Sequence, residues 1–157
     1  MFIMNCSGDI LAFYGGYHIS CNSHSINYMD KRETCDEDLF NRHMYTLALD
    51  VDNLCIDLPP ELGTDLNKYN ATLGHKVNHS FEPNTEFHIF SVHPVLGTTK
   101  MLEAVENINA VTELTVDYGY GTAKSPPKPS WYIKQLQEYL TKKEAEIMKR
   151  LPWLGVV

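Results

Sequence analysis

Short apolar segments separated by polar turns occupy the first three-quarters of the chain. Six segments have the alternating or continuous apolar pattern of strands: residues 10–14, 45–50, 54–57, 85–92, 99–104 and 113–117. Short, numerous strands that do not alternate with helical segments favour small β-sheets with long connections over a parallel α/β sheet. The pattern therefore predicts a mainly β, β-rich α+β fold.

Turn-forming residues separate these strands. The glycines at 15–16 are expected to end the first strand, and the Asp-Asn pair at 52–53 is expected to form a hairpin turn. The prolines and glycine within 59–63 predict a break in regular structure. Residues 20–41 are polar without a clear period, which predicts a surface loop with a short helix near residues 36–42.

The C-terminal quarter has a helical pattern. Three prolines within residues 121–129 predict a stiff, extended connector. Ser130 can then cap a helix that begins at Trp131 and stops at Pro152. Its apolar positions fall along one helical face: Ile133, Leu136, Leu140, Ile147, Met148 and Leu151. We expect an amphipathic helix that covers part of the fold.

Residues 74–84 fit neither the helical nor the strand period. Pro83 excludes a central strand position and disfavours a helical Glu82, while asparagine and serine side chains favour turns. Val77 and Phe81 are apolar positions within this polar segment. The segment is therefore predicted to be a loop anchored in the core, where binding residues are commonly found.

Composition narrows the functional classes. At 157 residues the chain fits one domain with a sizeable core. Its formal net charge of −7 argues against direct nucleic-acid binding and favours basic partners such as lysine-rich tails. No apolar run is long enough to predict a membrane span. The four cysteines are widely spaced, which predicts free thiols in a reducing compartment.

Two motifs resemble a known family. Residues 78–84, NHSFEPN, resemble the NHSxxPN motif of SET-domain protein-lysine methyltransferases, and residues 113–120, ELTVDYGY, resemble their ELxxDYGY motif. The motifs stand about thirty residues apart in the family's order. The resemblance extends over residues 10–140 and is greatest to the subfamily whose SET domain follows MORN repeats, the Set seven/nine type.

The resemblance implies a fold and an activity. The implied fold has several small β-sheets around a knot-like core, followed by a C-terminal helix. Residues 1–125 would form the SET domain, and residues 126–157 would form a connector and a helix that close the cofactor site. The implied activity is methyl transfer from S-adenosylmethionine to the ε-amine of lysine, in histones or other proteins, without a metal.

The resemblance also assigns residues to the site. The catalytic residue and the walls of the lysine channel would come from five aromatic residues: Tyr118, Tyr14, Tyr120, Phe87 and Tyr45. Tyr118 matches the catalytic tyrosine, while Tyr14 and Tyr120 match channel tyrosines. The cofactor contacts would come from five other residues: Asn78, His79, His75, Lys76 and Trp131. Aromatic walls suit this chemistry because they exclude water and accept a cationic product.

Three positions depart from the most similar subfamily. Phe87 replaces a tyrosine that limits how many methyl groups fit, so we expect product beyond monomethyl-lysine. Tyr45 replaces an asparagine, and Gln135 replaces a glutamate that contacts the cofactor.

The N-terminal residues differ more strongly from the family pattern. Residues 1–8 contain nothing like the GxG strand that holds the methionine end of the cofactor, and MORN repeats are missing. The chain is therefore expected to be either a fragment or alternative product of a longer enzyme, or a degenerate SET domain. Both readings stay open.

Two other functions are compatible with parts of the sequence. His75 and His79 are four residues apart, as in a metal-binding helix, but Pro83 and the turn-rich composition argue against a helix there. A non-catalytic module that binds a lysine-bearing peptide is the main alternative to an enzyme. The resemblance implies nuclear localisation, with the cytoplasm as an alternative, and the sequence leaves the substrate lysine and the oligomeric state open.

Overall fold

The computed structural model describes residues 6–20, 45–49, 53–65, 67–68, 72–120 and 128–150. Within these ranges the strands are β1 (Ile10–Tyr14), β2 (Tyr17–Ser20), β3 (Thr46–Ala48), β4 (Leu54–Asp57), β5 (Asn78–His79), β6 (Thr85–His93), β7 (Gly97–Ala104) and β8 (Thr115–Val116). The helices are α1 (Pro60–Gly63) and α2 (Ser130–Arg150), with a 3-10 turn at Gly74–Lys76.

The strands form three small sheets. One has the order β1-β7-β6 and a second has the order β2-β4-β3, and both are antiparallel. The third is a two-stranded parallel pair of β5 and β8. The predicted β-rich fold of small sheets with a C-terminal helix is therefore confirmed.

Strand β7 lies at the centre of the first sheet, and its Leu102 is fully buried. Leu102 packs in one apolar cluster with Val77 and Val116, while Tyr14 is in a second cluster on the β2-β4-β3 side with Ile56. The side chain of Phe87 packs against both clusters. Burial of Val77 and Val116 holds the segments that carry the two motifs against the sheet β1-β7-β6.

The glycines at 15–16 end β1 as predicted, and β2 begins directly after them. A Cβ atom at Gly16 would lie 2.5 Å from the Asp57 carbonyl oxygen, so only glycine allows the chain to pass this close to β4. β2 was not among the predicted strands, although its apolar Tyr17 and Ile19 alternate with the polar His18 and Ser20.

The predicted break at residues 59–63 is wrong in part. Helix α1 begins at Pro60, a position where the missing backbone N–H of proline costs nothing. The strand predicted at 113–117 is shorter than expected and covers Thr115–Val116. Ser20 ends β2, and the rest of the predicted loop and the short helix near 36–42 lie outside the described residues.

Residues up to Tyr118 form one compact unit, and residues from Gly119 onward form a second. Helix α2 begins at Ser130, where the Pro129 carbonyl accepts hydrogen bonds from the N–H groups of Tyr132 and Ile133. Among the apolar positions predicted for one face, Ile133, Leu140, Ile147 and Met148 are exposed. The predicted closure of a cofactor site by residues 126–157 stays a prediction.

Two further sequence predictions concern cysteines and membranes. Cys6 is a free thiol, as expected, whereas Cys55 is disulfide-bonded, so the expectation of free thiols is wrong for Cys55. Among the described helices, none combines the length and apolar character that a membrane crossing requires.

Candidate active site

The two sequence motifs meet as a parallel strand pair. Asn78 lies opposite Thr115 and His79 lies opposite Val116. The N–H group of Ser80 then donates to the Val116 carbonyl oxygen over 3.1 Å. Segments that are distant along the chain are thereby brought side by side, with Tyr118 directly beyond β8.

Asn84, the last residue of the first motif, stabilises the pairing of β5 with β8 through hydrogen bonds. Its side-chain Nδ2 donates to the Glu113 carbonyl oxygen over 2.9 Å, and its Oδ1 accepts from the Thr115 N–H over 2.9 Å. The Thr85 hydroxyl donates to the Thr115 carbonyl oxygen over 2.7 Å. Because Asn84 is buried, its two hydrogen bonds satisfy its side-chain amide and hold the backbone at residues 113 and 115.

His79 and Tyr118 are in direct contact. The Tyr118 N–H donates to His79 Nδ1 over 3.2 Å, and the two ring centroids are 5.3 Å apart. Burial lowers the pKa of His79, although Asp117, whose Oδ1 lies 3.8 Å from Nδ1, acts in the opposite direction. The imidazole is therefore neutral at physiological pH and holds the backbone of Tyr118 in place.

The hydroxyl groups of two tyrosines are oriented by backbone carbonyls. Tyr14 Oη donates to the Tyr45 carbonyl oxygen over 2.6 Å, and Tyr118 Oη donates to the Val77 carbonyl oxygen over 2.7 Å. Tyr14 is buried, whereas 41% of the Tyr118 surface is exposed. With their protons committed in this way, both oxygens retain lone pairs that can accept from a ligand.

Neighbouring tyrosines affect the ionisation of Tyr14 and Tyr118. Burial raises the pKa of Tyr14, with further contributions from Tyr45, Asp57 and Tyr118. Burial, followed by the effect of Tyr45, raises the pKa of Tyr118 to about 12, and burial also raises the pKa of Tyr45. The effect of Tyr45 on both Tyr14 and Tyr118 indicates that the three side chains share one region, and the raised pKa values mean that all three hydroxyl groups remain protonated at physiological pH.

Phe87 and His75 complete the aromatic surroundings of Tyr14. The Tyr14 ring makes edge contacts with Phe87, at 5.8 Å between centroids, and with His75, at 6.2 Å. The centroids of Tyr45 and His75 are 6.4 Å apart. His75 is buried, which lowers its pKa and favours the neutral ring. His75, predicted as a cofactor contact, thus lies beside the residues predicted to form the lysine channel.

The 3-10 turn that carries His75 depends on a close backbone approach. A Cβ atom at Gly74 would lie 2.9 Å from the Phe13 carbonyl oxygen on β1. Glycine at this position therefore lets the turn pack directly against the strand that carries Tyr14.

Lys76 and Asn78, also predicted as cofactor contacts, make polar contacts at the surface. Lys76 Nζ donates to the Lys68 carbonyl oxygen over 3.1 Å. Asn78 is exposed, and its Nδ2 donates to Glu113 Oε1 over 2.6 Å.

The remaining predicted site residues belong to the second unit. Tyr120 is buried, and its ring centroid lies 6.0 Å from that of Trp131 and 5.0 Å from that of Tyr132. Their assigned functional roles stay predictions. In the described part of the chain, no group of three or more histidine, cysteine, aspartate or glutamate residues could hold a metal ion.

Most aromatic residues of the site were predicted from the sequence, but their hydrogen-bond partners were not. The carbonyl groups of Tyr45 and Val77 orient the hydroxyl groups, and a side-chain pattern carries no information on such backbone partners. Glu113 and Asn84 were also given no separate role, although both stand within the matched motifs.

Comparison with known proteins agrees with the motifs. The SET domain family model matches residues 8–119. Histone-lysine N-methyltransferase SETD7 of Halocynthia roretzi is 32% identical over 148 residues, which cover 90% of this chain and 34% of that protein. The chain thus spans about a third of the length of this curated relative.

A solved structure has a similar fold. The crystal structure of CpSET8 from Cryptosporidium superposes with a TM-score of 0.52 and 22% sequence identity, covering 74% of this chain and 49% of that chain. At this identity the likeness concerns the fold alone. The family match over residues 8–119 contains the first motif and all but the last residue of the second, and it means that the chain belongs to the SET-domain protein-lysine methyltransferase family.

Proposed function

We propose that this chain transfers methyl groups from S-adenosylmethionine to the ε-amine of lysine in a protein substrate. The observation that carries the proposal is the pairing of β5 with β8, which sets Asn78 and His79 beside Tyr118. The aromatic group of Tyr14, Tyr45 and Phe87 in the same unit supports it.

The hydrogen-bond acceptors of this region suit the cofactor. S-adenosylmethionine supplies an electrophilic methyl group on a sulfonium, whose C–S bond breaks toward sulfur as the amine lone pair forms the new C–N bond. Its cationic centre suits neutral oxygens that accept rather than donate, and Tyr14 and Tyr118 present such oxygens. Their lone pairs can accept weak CH···O contacts from polarised methyl groups.

The aromatic side chains would prepare the lysine by excluding water. Burial among such rings disfavours an ammonium ion and favours the neutral amine that can attack. Because the pKa of Tyr118 is raised to about 12, its hydroxyl group is protonated at neutral pH and does not serve as a general base. The lysine proton would therefore leave to solvent, and Tyr118 would orient and stabilise the reacting groups.

A basic protein segment is the proposed substrate class. The formal net charge of −7 favours association with lysine-rich segments. The relative from Halocynthia roretzi is named as a histone-lysine methyltransferase, so we propose a histone tail as the first substrate to test. Nuclear localisation is proposed on the same basis.

The cofactor site is tested by calorimetric titration of S-adenosylmethionine into the full chain, with Asn78→Ala as the control. We expect micromolar binding that the substitution weakens strongly, because Asn78 lies at the junction of both motifs. A folded chain that does not bind millimolar S-adenosylmethionine would contradict the proposed function.

A further inference from the structure

A carboxylate that the motif comparison leaves without a role fixes the orientation of the Asn78 amide. Asn78 Nδ2 donates to Glu113 Oε1 over 2.6 Å. An ionised carboxylate only accepts hydrogen bonds, so the NH2 group must face Glu113. The amide oxygen, Oδ1, is therefore directed away from Glu113.

The backbone holds both residues in register. Asn78 lies opposite Thr115 in the parallel pair, and Glu113 precedes Thr115 by two positions, which directs both side chains to the same face. The Glu113 carbonyl oxygen and the Thr115 N–H are both bonded to the buried Asn84 side chain. The backbone of Glu113 is thus held by Asn84, independently of the Glu113 side chain.

The Asn78 side chain is at the surface, next to a negative charge. Asn78 and Glu113 are both exposed. A carboxylate directly behind the amide makes the local potential negative, which favours a cationic donor and disfavours an anion. Within the amino-acid portion of S-adenosylmethionine, the ammonium group meets this requirement and the carboxylate does not.

We propose that Glu113 is a positioning residue that holds Asn78 so that its amide oxygen accepts from the ammonium group of the cofactor. The inference rests on the proposed function. It adds Glu113 as a residue that acts through Asn78.

The test is calorimetric titration of the full chain with S-adenosylmethionine and with 5′-methylthioadenosine, which lacks the amino-acid portion. Glu113→Gln is expected to weaken S-adenosylmethionine binding about 5- to 10-fold, because glutamine can turn either its nitrogen or its oxygen toward Asn78. Binding of 5′-methylthioadenosine is expected to change less than about twofold, since its contacts do not involve the ammonium group. The control Glu106→Gln removes the same charge from an exposed position and is expected to change neither affinity.

A double substitution separates positioning from a general structural role. In the Asn78→Ala background, Glu113→Gln is expected to cause no further loss, because its effect passes through Asn78. Equal weakening of both ligands, or additive losses, would overturn the inference. If Asn78→Ala weakens S-adenosylmethionine binding and Glu113→Gln does not, this inference alone fails. An Asn78→Ala variant that binds like the wild type contradicts the cofactor site itself.

Discussion

The hydroxyl groups of Tyr14 and Tyr118 each donate to a backbone carbonyl, so their protons are fixed and their lone pairs are directed elsewhere. This geometry gives two acceptor oxygens without requiring an ionised tyrosine. At the residue scale, the aromatic residues of the site were predicted well from the sequence, because they stand in segments that resemble the family. It did not predict the carbonyl partners, which arise only when distant segments meet.

Phe87 carries a prediction about the reaction product. Its ring packs edge-on to Tyr14 and lacks a hydroxyl group that could hold the amine or an ordered water. We expect the wild type to form di- or trimethyl-lysine and Phe87→Tyr to shift the product toward monomethyl-lysine. Mass spectra of a methylated peptide measure this distribution.

Phe90→Tyr is the matched control for that change. Phe90 lies on the same strand but packs against Phe13 and His93, so its substitution is expected to leave the product distribution unchanged. Exclusive monomethylation by the wild type would refute the interpretation of Phe87.

The two buried histidines predict a pH dependence of stability. Burial lowers the pKa of His75 and of His79 below the ordinary 6.5. Near pH 6.5 the unfolded chain therefore binds more protons than the folded chain. The free energy of unfolding is therefore expected to be fully present above about pH 7 and to fall as the pH drops through about 6.5. Urea unfolding at several pH values in this range measures how steeply the free energy of unfolding falls with pH. We expect a smaller fall for His75→Gln than for the wild type. An unchanged pH dependence would contradict the buried, neutral ring.

At the scale of elements, the pairing of β5 with β8 organises the candidate site. All three strands of the sheet β1-β7-β6 were predicted from the sequence, and in β6 the apolar Phe87 and Ile89 alternate with Glu86 and His88. The β5–β8 pair was not predictable as a pair, because each strand has two residues and their register depends on Asn84 rather than on periodicity. The apolar positions of α2 show the limit of a helical pattern, which predicts a helix but not what covers its face.

Asn84→Ala tests how strongly this pair depends on one side chain. The substitution leaves the Glu113 carbonyl oxygen and the Thr115 N–H without their buried partner. We expect a loss of about 2–4 kcal/mol in the free energy of unfolding, measured by urea denaturation. Asn107→Ala is the control, because Asn107 is exposed and accepts a single long bond from the Ser7 N–H, and its expected loss is about 0.5 kcal/mol or less. Equal losses from both substitutions would contradict the role assigned to Asn84.

At the scale of the whole molecule, the first unit carries the first motif, residues 113–118 of the second motif and most of the predicted site. Its residues Tyr14, Tyr45, Phe87 and Tyr118 come from segments that are distant in sequence, and the sheets bring them to one region. The sequence could predict this convergence only through family resemblance. Periodicity alone indicates a β-rich fold and does not specify which strands meet.

The central claim is methyl transfer to lysine, and the most direct measurement is mass spectrometry of a lysine-bearing histone-tail peptide incubated with the full chain and S-adenosylmethionine. The account predicts methyl groups on lysine, and a rate reduced about 100-fold or more in Tyr118→Phe, whose fold should be retained. A folded chain that binds S-adenosylmethionine and the peptide but leaves the lysine unmodified would contradict the claim. That result would identify the chain as a non-catalytic binding module.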